Sequence, residues 1–139
     1  PLLQAALHDF VHSGAMDDYL DRLRGELRQR HQAAREALSD HMPDGTRWTE
    51  PHGGFAFWLE LPPGADGDLI AERSARDGVL VTQGSAFDPL HRPSRGLRIA
   101  LARTDETRVR AGVEVLARHT RELTIAGDSS LTTPPPLIL

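Results

Sequence analysis

Gly96-Leu97-Arg98-Ile99-Ala100-Leu101-Ala102 is a short apolar stretch with a single charge set into it. Leu97, Ile99 and Leu101 alternate with Arg98 and two alanines, the period of a strand with one face in a core. The Arg98 guanidinium then leaves by the face opposite the large apolar side chains. An ionised arginine beside a core needs a partner, either a carboxylate of the protein or an anionic ligand.

Working outward, Phe55-Ala56-Phe57-Trp58-Leu59-Glu60-Leu61 is apolar at nearly every position. It lies between the Pro51-His52-Gly53-Gly54 break and the Pro62-Pro63-Gly64 stop, and this predicts a central strand. Shorter strands are expected at Arg47–Glu50 and Val79–Thr82. A turn over Gly84–Phe87 and a polar, proline-containing loop over Asp88–Arg95 follow the latter. The Gly53-Gly54 pair either permits close backbone approach of a ligand or is a plain turn.

Helices occupy the rest. Leu3, Leu7, Phe10 and Val11 have helical spacing within residues 2–13, and Gly14 suits the helix end. From Met16 to His41 runs a long helix whose apolar stripe is Leu20, Leu23, Leu27, Ala34 and Leu38. Asp18–Arg22 and Glu26–Arg30 are expected ion pairs on its outer face. It is more than twice the usual ~11–12 residues, so it is expected to extend from this domain toward another part. Asp66 or Asp68 caps a helix through Arg76. Thr104-Asp105-Glu106 opens the last, with Val109, Val113, Leu116 and Leu123 as its buried stripe.

The expected fold class is α/β: a small, mostly antiparallel sheet with helices packed on one face, preceded by a long helix. Residues 1–42 form a helix pair leading into the domain, 43–126 the α/β domain proper. Residues 127–139, with Pro134-Pro135-Pro136, form a tail that is disordered or docked on another part.

The composition narrows the chemistry. A chain of 139 residues with 39% hydrophobic content supports one modest core. A net charge of -4 and a pI near 6.0 argue against a nucleic-acid surface of its own. Arginines 22, 24, 28, 30 and 35 are interleaved with acids and read as a solvated face. Neither a membrane-length apolar run nor a signal peptide is visible, and there is no cysteine, which fits a cytoplasmic protein. All 16 basic residues are arginine, so only the Pro1 amine is left for Schiff-base chemistry. A start at Pro1 without methionine suggests a fragment or a processed product.

His8 and His12 have a metal-compatible spacing, yet no third ligand is near and a solvated face is expected. Ser85 in Gly84-Ser85-Ala86 lacks the second glycine of a nucleophile elbow. No Walker loop, GxGxxG or HExxH occurs. Neither a metal site at His8 and His12 nor a nucleophile at Ser85 is therefore expected.

Four motifs nevertheless stand in a specific order. Gly53-Gly54-Phe55-x-Phe57-Trp58-x-x-Leu61-Pro62, Gly78-Val79-x-Val81, Gly84-Ser85-x-Phe87 and Leu97-Arg98-Ile99-x-Leu101-Ala102 together resemble the C-terminal small domain of class I/II pyridoxal-phosphate aminotransferases of fold type I. The likeness runs over residues 4–123. It points to the group shared by 2-aminoadipate-type aminotransferases and the MocR-type GntR regulators. The resemblance implies that Arg98 binds the substrate α-carboxylate and that Phe55 faces the substrate. It implies pyridoxal phosphate in a full-length parent, a missing large domain that carries the lysine, and a homodimer. The resemblance also implies that no catalytic or cofactor-binding residue lies on this chain, and none of the cofactor is expected on it alone. The alternative implied is the effector-binding part of a regulator, whose nucleic-acid contacts lie in a separate head domain. Gln83 stands where the family has proline, and Tyr19 where many relatives have histidine, so the substrate is left open.

Overall fold

A computed structural model describes residues 1–129; the Pro134–Pro136 run lies outside them. Helix α1 (Leu2–His12) and helix α2 (Ala15–His41) are separated by Gly14 at φ +82, a conformation glycine takes without Cβ strain. Strand β1 (Arg47–Trp48), β2 (Ala56–Glu60), α3 (Gly67–Arg76), β3 (Thr82–Gln83), a 3-10 turn (Gly84–Phe87), β4 (Gly96–Ala100) and α4 (Glu106–Ser129) follow. All strand pairs are antiparallel, in the order β1-β2-β4-β3, so β2 and β4 are the inner strands.

Alternation along the inner strands divides the sheet into two faces. Phe57, Leu59, Leu97 and Ile99 are buried with Ala33, Ala34, Ala37 and Leu38 of α2, Ile70 of α3, and Val109, Val113 and Leu116 of α4. All three helices therefore share one face. Only the second half of α2 contributes to this core, and α1 has no buried residue. Leu3, Leu7, Phe10 and Val11 stay exposed, so the apolar stripe of α1 is left largely open among the described residues.

Helix ends follow the capping chemistry of their residues. Asp66 accepts from the backbone N–H groups of Asp68 and Leu69, and Asp105 from that of Arg108. One side chain crosses a long sequence distance to hold α2 on the sheet. Arg30 pairs with Glu26 at 2.9 Å and also donates to the carbonyls of Leu101 and Ala102, just past β4.

Three sequence expectations need correction. Val79–Val81 are not a strand: the Val79 N–H bonds to the Ser74 carbonyl at the end of α3, and Leu80 is exposed. Pairing begins only at Thr82↔Arg98. Strand β1 stops at Trp48, and just beyond it the Thr49 hydroxyl, not a backbone carbonyl, accepts from the Trp58 N–H. The expected Asp18–Arg22 pair is absent among the described ion pairs, since Arg22 lies over the Tyr19 ring at 5.8 Å.

Helices α2 and α4 are also joined by Glu36 and Arg110, 2.5 Å apart. The Arg110 guanidinium, aided by the Gln32 amide, holds the Glu36 carboxyl below the usual glutamate range. A lowered folded value means stability present above the unfolded value and lost as pH falls through the folded one. Thermal midpoints measured on the acid side should therefore fall less steeply in Glu36→Gln than in the parent chain. The difference should be small, because the pair is solvent-exposed; an unchanged acid slope would show that the pair carries no proton linkage.

Candidate functional site: the open face of the sheet

The face opposite the helices carries the even-numbered residues of β2 and β4. Trp58, Arg98 and Thr82 stand directly opposite one another on three adjacent strands, and all are half-buried. In antiparallel pairs such residues project to the same side. The Arg98 guanidinium lies 5.7 Å from the centre of the Phe55 ring. This cation–π contact restrains the guanidinium plane without neutralising its charge.

No carboxylate lies within ion-pair distance of Arg98 among the described residues. The acid nearest in register, Glu60, is engaged by Arg95. Arg98 is thus a half-buried cation on an inner strand, oriented by an aromatic ring and open to an anion. A guanidinium so placed offers a planar set of donors suited to bidentate contact with a carboxylate.

The neighbouring backbone is packed tightly enough to fix this geometry. A Cβ on Gly96 would lie 2.1 Å from Cζ2 of Trp58, so the indole covers Gly96 directly. Phe87 meets the Trp58 ring edge-on at 5.7 Å. Gly67 donates to the Ser94 carbonyl and Leu61 to the Arg95 carbonyl, which ties the loop before β4 to both sides. Sequence reading named Arg98 and Phe55, and both lie here together. It passed over Trp58 and Thr82, although strand alternation from Arg98 through the register would have found them.

The other candidate residues lie elsewhere and serve the fold. The Ser85 hydroxyl donates to Asp68, and His91 bonds the Ser85 carbonyl, so no imidazole serves the hydroxyl. His8 and His12 stack at 3.9 Å on exposed α1, and no group of three metal-type ligands occurs among the described residues. A buried histidine absent from the sequence reading, His119, bonds Asp77 at 2.8 Å and joins α4 to the end of α3. No helix among the described residues is long and apolar enough to cross a membrane.

Comparison with known proteins gives a consistent picture. The family model described as Aminotransferase class I and II matches residues 1–116. Aromatic-amino-acid aminotransferase 1 of Thermococcus litoralis is 31% identical over 113 residues, which is 81% of this chain and 27% of that protein. The HTH-type transcriptional regulator TauR of Rhodobacter capsulatus is 28% identical over 123 residues, 86% of this chain and 25% of that protein. The crystal structure of multiple substrate aminotransferase from Thermococcus profundus aligns with a TM-score of 0.78 at 30% identity, covering 85% of this chain and 29% of that one. The chain spans less than a third of the length of each.

Proposed function

Since the chain belongs to the family of class I and II aminotransferases, we propose that it is the C-terminal small domain of a pyridoxal-phosphate-dependent aminotransferase. Its task is to receive the α-carboxylate of the amino-acid substrate on Arg98. The observation that carries this reading is a half-buried inner-strand arginine with no carboxylate partner among the described residues. Phe55 holds the guanidinium plane and supplies an apolar wall beside the bound carboxylate.

Pyridoxal phosphate does not fit this chain as its covalent carrier, because no side-chain amine is present: all 16 basic residues are arginine. In this reading the cofactor, its lysine and the chemistry of amino transfer belong to the rest of the parent, a homodimer. The contribution of this domain is orientation. Arg98 fixes one end of the substrate and thereby the direction in which its α-carbon and amine are presented.

A second reading rests on the regulator relatives: the same domain, within a transcriptional regulator, binds an amino acid or cofactor as effector. Expression of the full reading frame separates the two. Amino transfer to a 2-oxo acid, dependent on added pyridoxal phosphate, is expected for the enzyme. A DNA-binding head with effector binding and no turnover would replace the first reading by the second.

A further inference from the structure

Two consecutive residues of α2 reach the strands that carry the site. Arg30 keeps only 16% of its side chain exposed, and its guanidinium meets the Glu26 carboxylate at 2.9 Å and the carbonyls of Leu101 and Ala102 at 3.2 and 3.1 Å. Nε2 of His31 donates to the Gly54 carbonyl at 3.2 Å. Leu101 and Ala102 follow β4, the strand of Arg98, and Gly54 directly precedes Phe55. The helix therefore holds the end of one inner strand and the approach to the other.

A further bond joins these two points. The Leu101 N–H donates to the Phe55 carbonyl at 2.7 Å, next to the ladder pair Ala56↔Ala100. Gly54 takes φ +88, so the chain turns just before Phe55, and His31 holds the carbonyl of that turn. Phe55 is thus pinned on both sides by its backbone. Its ring is 48% exposed and lies outside the buried core, so these bonds and not burial decide where the ring stands. The helix end of the connection is firm. Ala33, Ala34, Ala37 and Leu38 are the buried residues of α2, and Arg30 stands three and four residues before the first two, on the same face.

We infer, resting on Arg98 as the carboxylate site, that Arg30 and His31 are positioning residues: α2 sets the Phe55 ring, and the ring sets the Arg98 guanidinium. The path is continuous. It runs from Arg30 to the Leu101 carbonyl, from the Leu101 N–H to the Phe55 carbonyl, and from the Phe55 ring to the guanidinium 5.7 Å from its centre. Neither residue touches the substrate. Each acts by fixing the ring that restrains the guanidinium plane.

The test has one arm without substrate and one with it. In the purified chain, Phe55→Leu should displace the Arg98 Nε–H resonance, which is assigned by its loss in Arg98→Lys. Arg30→Gln and His31→Leu should each reproduce most of that displacement. His31→Gln, whose amide can still donate to Gly54, should not, and Arg22→Gln, off the path, should leave the resonance in place. In the full-length parent, Arg30→Gln should lower kcat/KM for the amino acid about three- to tenfold, chiefly through KM. An amine substrate without a carboxylate should be turned over as before. In a Phe55→Leu background the same change should cost less than about twofold, because the ring it acts through is gone, whereas a merely structural role would add in full. Circular dichroism checks folding; should Arg30→Gln unfold, Arg30→Lys, which loses the fork of donors, and His31→Leu carry the same test. An unmoved Arg98 resonance in the folded variants would overturn the positioning role whatever the substrate does, and so would losses fully additive with Phe55→Leu. If Arg98→Ala affected carboxylate and amine substrates equally, Arg98 would not be the carboxylate site and the purpose of the connection would fall with it, while the resonance would still report its geometry.

Discussion

Replacing Arg98 with alanine in the full-length parent is expected to lower kcat/KM for the amino acid about a hundred- to a thousandfold. The change removes a charge-assisted, two-point contact and leaves the substrate carboxylate without its partner in a partly desolvated site. Arg98→Lys keeps the charge but loses the planar fork, so it should fall between alanine and the parent protein. An amine substrate with no carboxylate provides the decisive control. Its turnover, slow from the start, should be nearly indifferent to Arg98→Ala, which a merely structural role would not predict. Phe55→Leu should act in the same direction with a smaller effect, by freeing the guanidinium plane that the ring restrains at 5.7 Å. If carboxylate and non-carboxylate substrates lost rate equally, Arg98 would be supporting the sheet and not the substrate.

The residues at this site differ in how plainly the sequence announces them. Arg98 is conspicuous because a charge interrupts an alternating apolar strand, and alternation alone decides which face it takes. What alternation leaves open is whether a carboxylate waits on the next strand. That depends on register, and the register places Trp58 and Thr82 beside Arg98 while Glu60 stands opposite Gly96, bound to Arg95. The pairing of the charges on α2 was hidden for a related reason. Counting charges along a helix treats every neighbour as a partner, whereas here Glu36 is drawn off to Arg110 on another helix.

The fold was legible where local signals agree with one another. The cap expected at Asp66 or Asp68 and found at Asp66, the break at Gly14, the stripe of α4 and the two inner strands each combine propensity with periodicity, and each is present. Val79-Leu80-Val81 shows the opposite case. Three β-favouring residues read as a strand, yet the chain leaving α3 spends the Val79 N–H on Ser74 and leaves Leu80 in solvent. Arg30 likewise reads as half of a helical ion pair. Its bonds to the carbonyls of Leu101 and Ala102 join residues far apart in sequence, a separation over which no local pattern carries information.

Gly96→Ala is the smallest substitution that should disturb both stability and site. The added Cβ would sit 2.1 Å from Cζ2 and 2.7 Å from Cε2 of Trp58, atoms of a rigid indole and not the tip of a flexible chain. Phe87 packs against that ring, so it cannot swing aside without opening a second contact. Either the indole rotates or the β2–β4 ladder parts at Glu60↔Gly96. Overpacking of this kind costs about 1–3 kcal/mol, read as a lower urea midpoint with an unchanged slope. A double-mutant cycle assigns the cause: in a Trp58→Ala background the same Gly96→Ala change should cost less than about 0.5 kcal/mol. Gly78→Ala is the contrasting control, because its penalty comes from φ +84 with open space around it and should not respond to Trp58. Since Trp58 stands directly opposite Arg98, the displaced indole should also loosen carboxylate binding in the parent, beyond what lost stability explains. A Gly96→Ala chain as stable as the original in both backgrounds would mean that the indole does not lie on β4, and the ordered setting of Arg98 would lose its principal support.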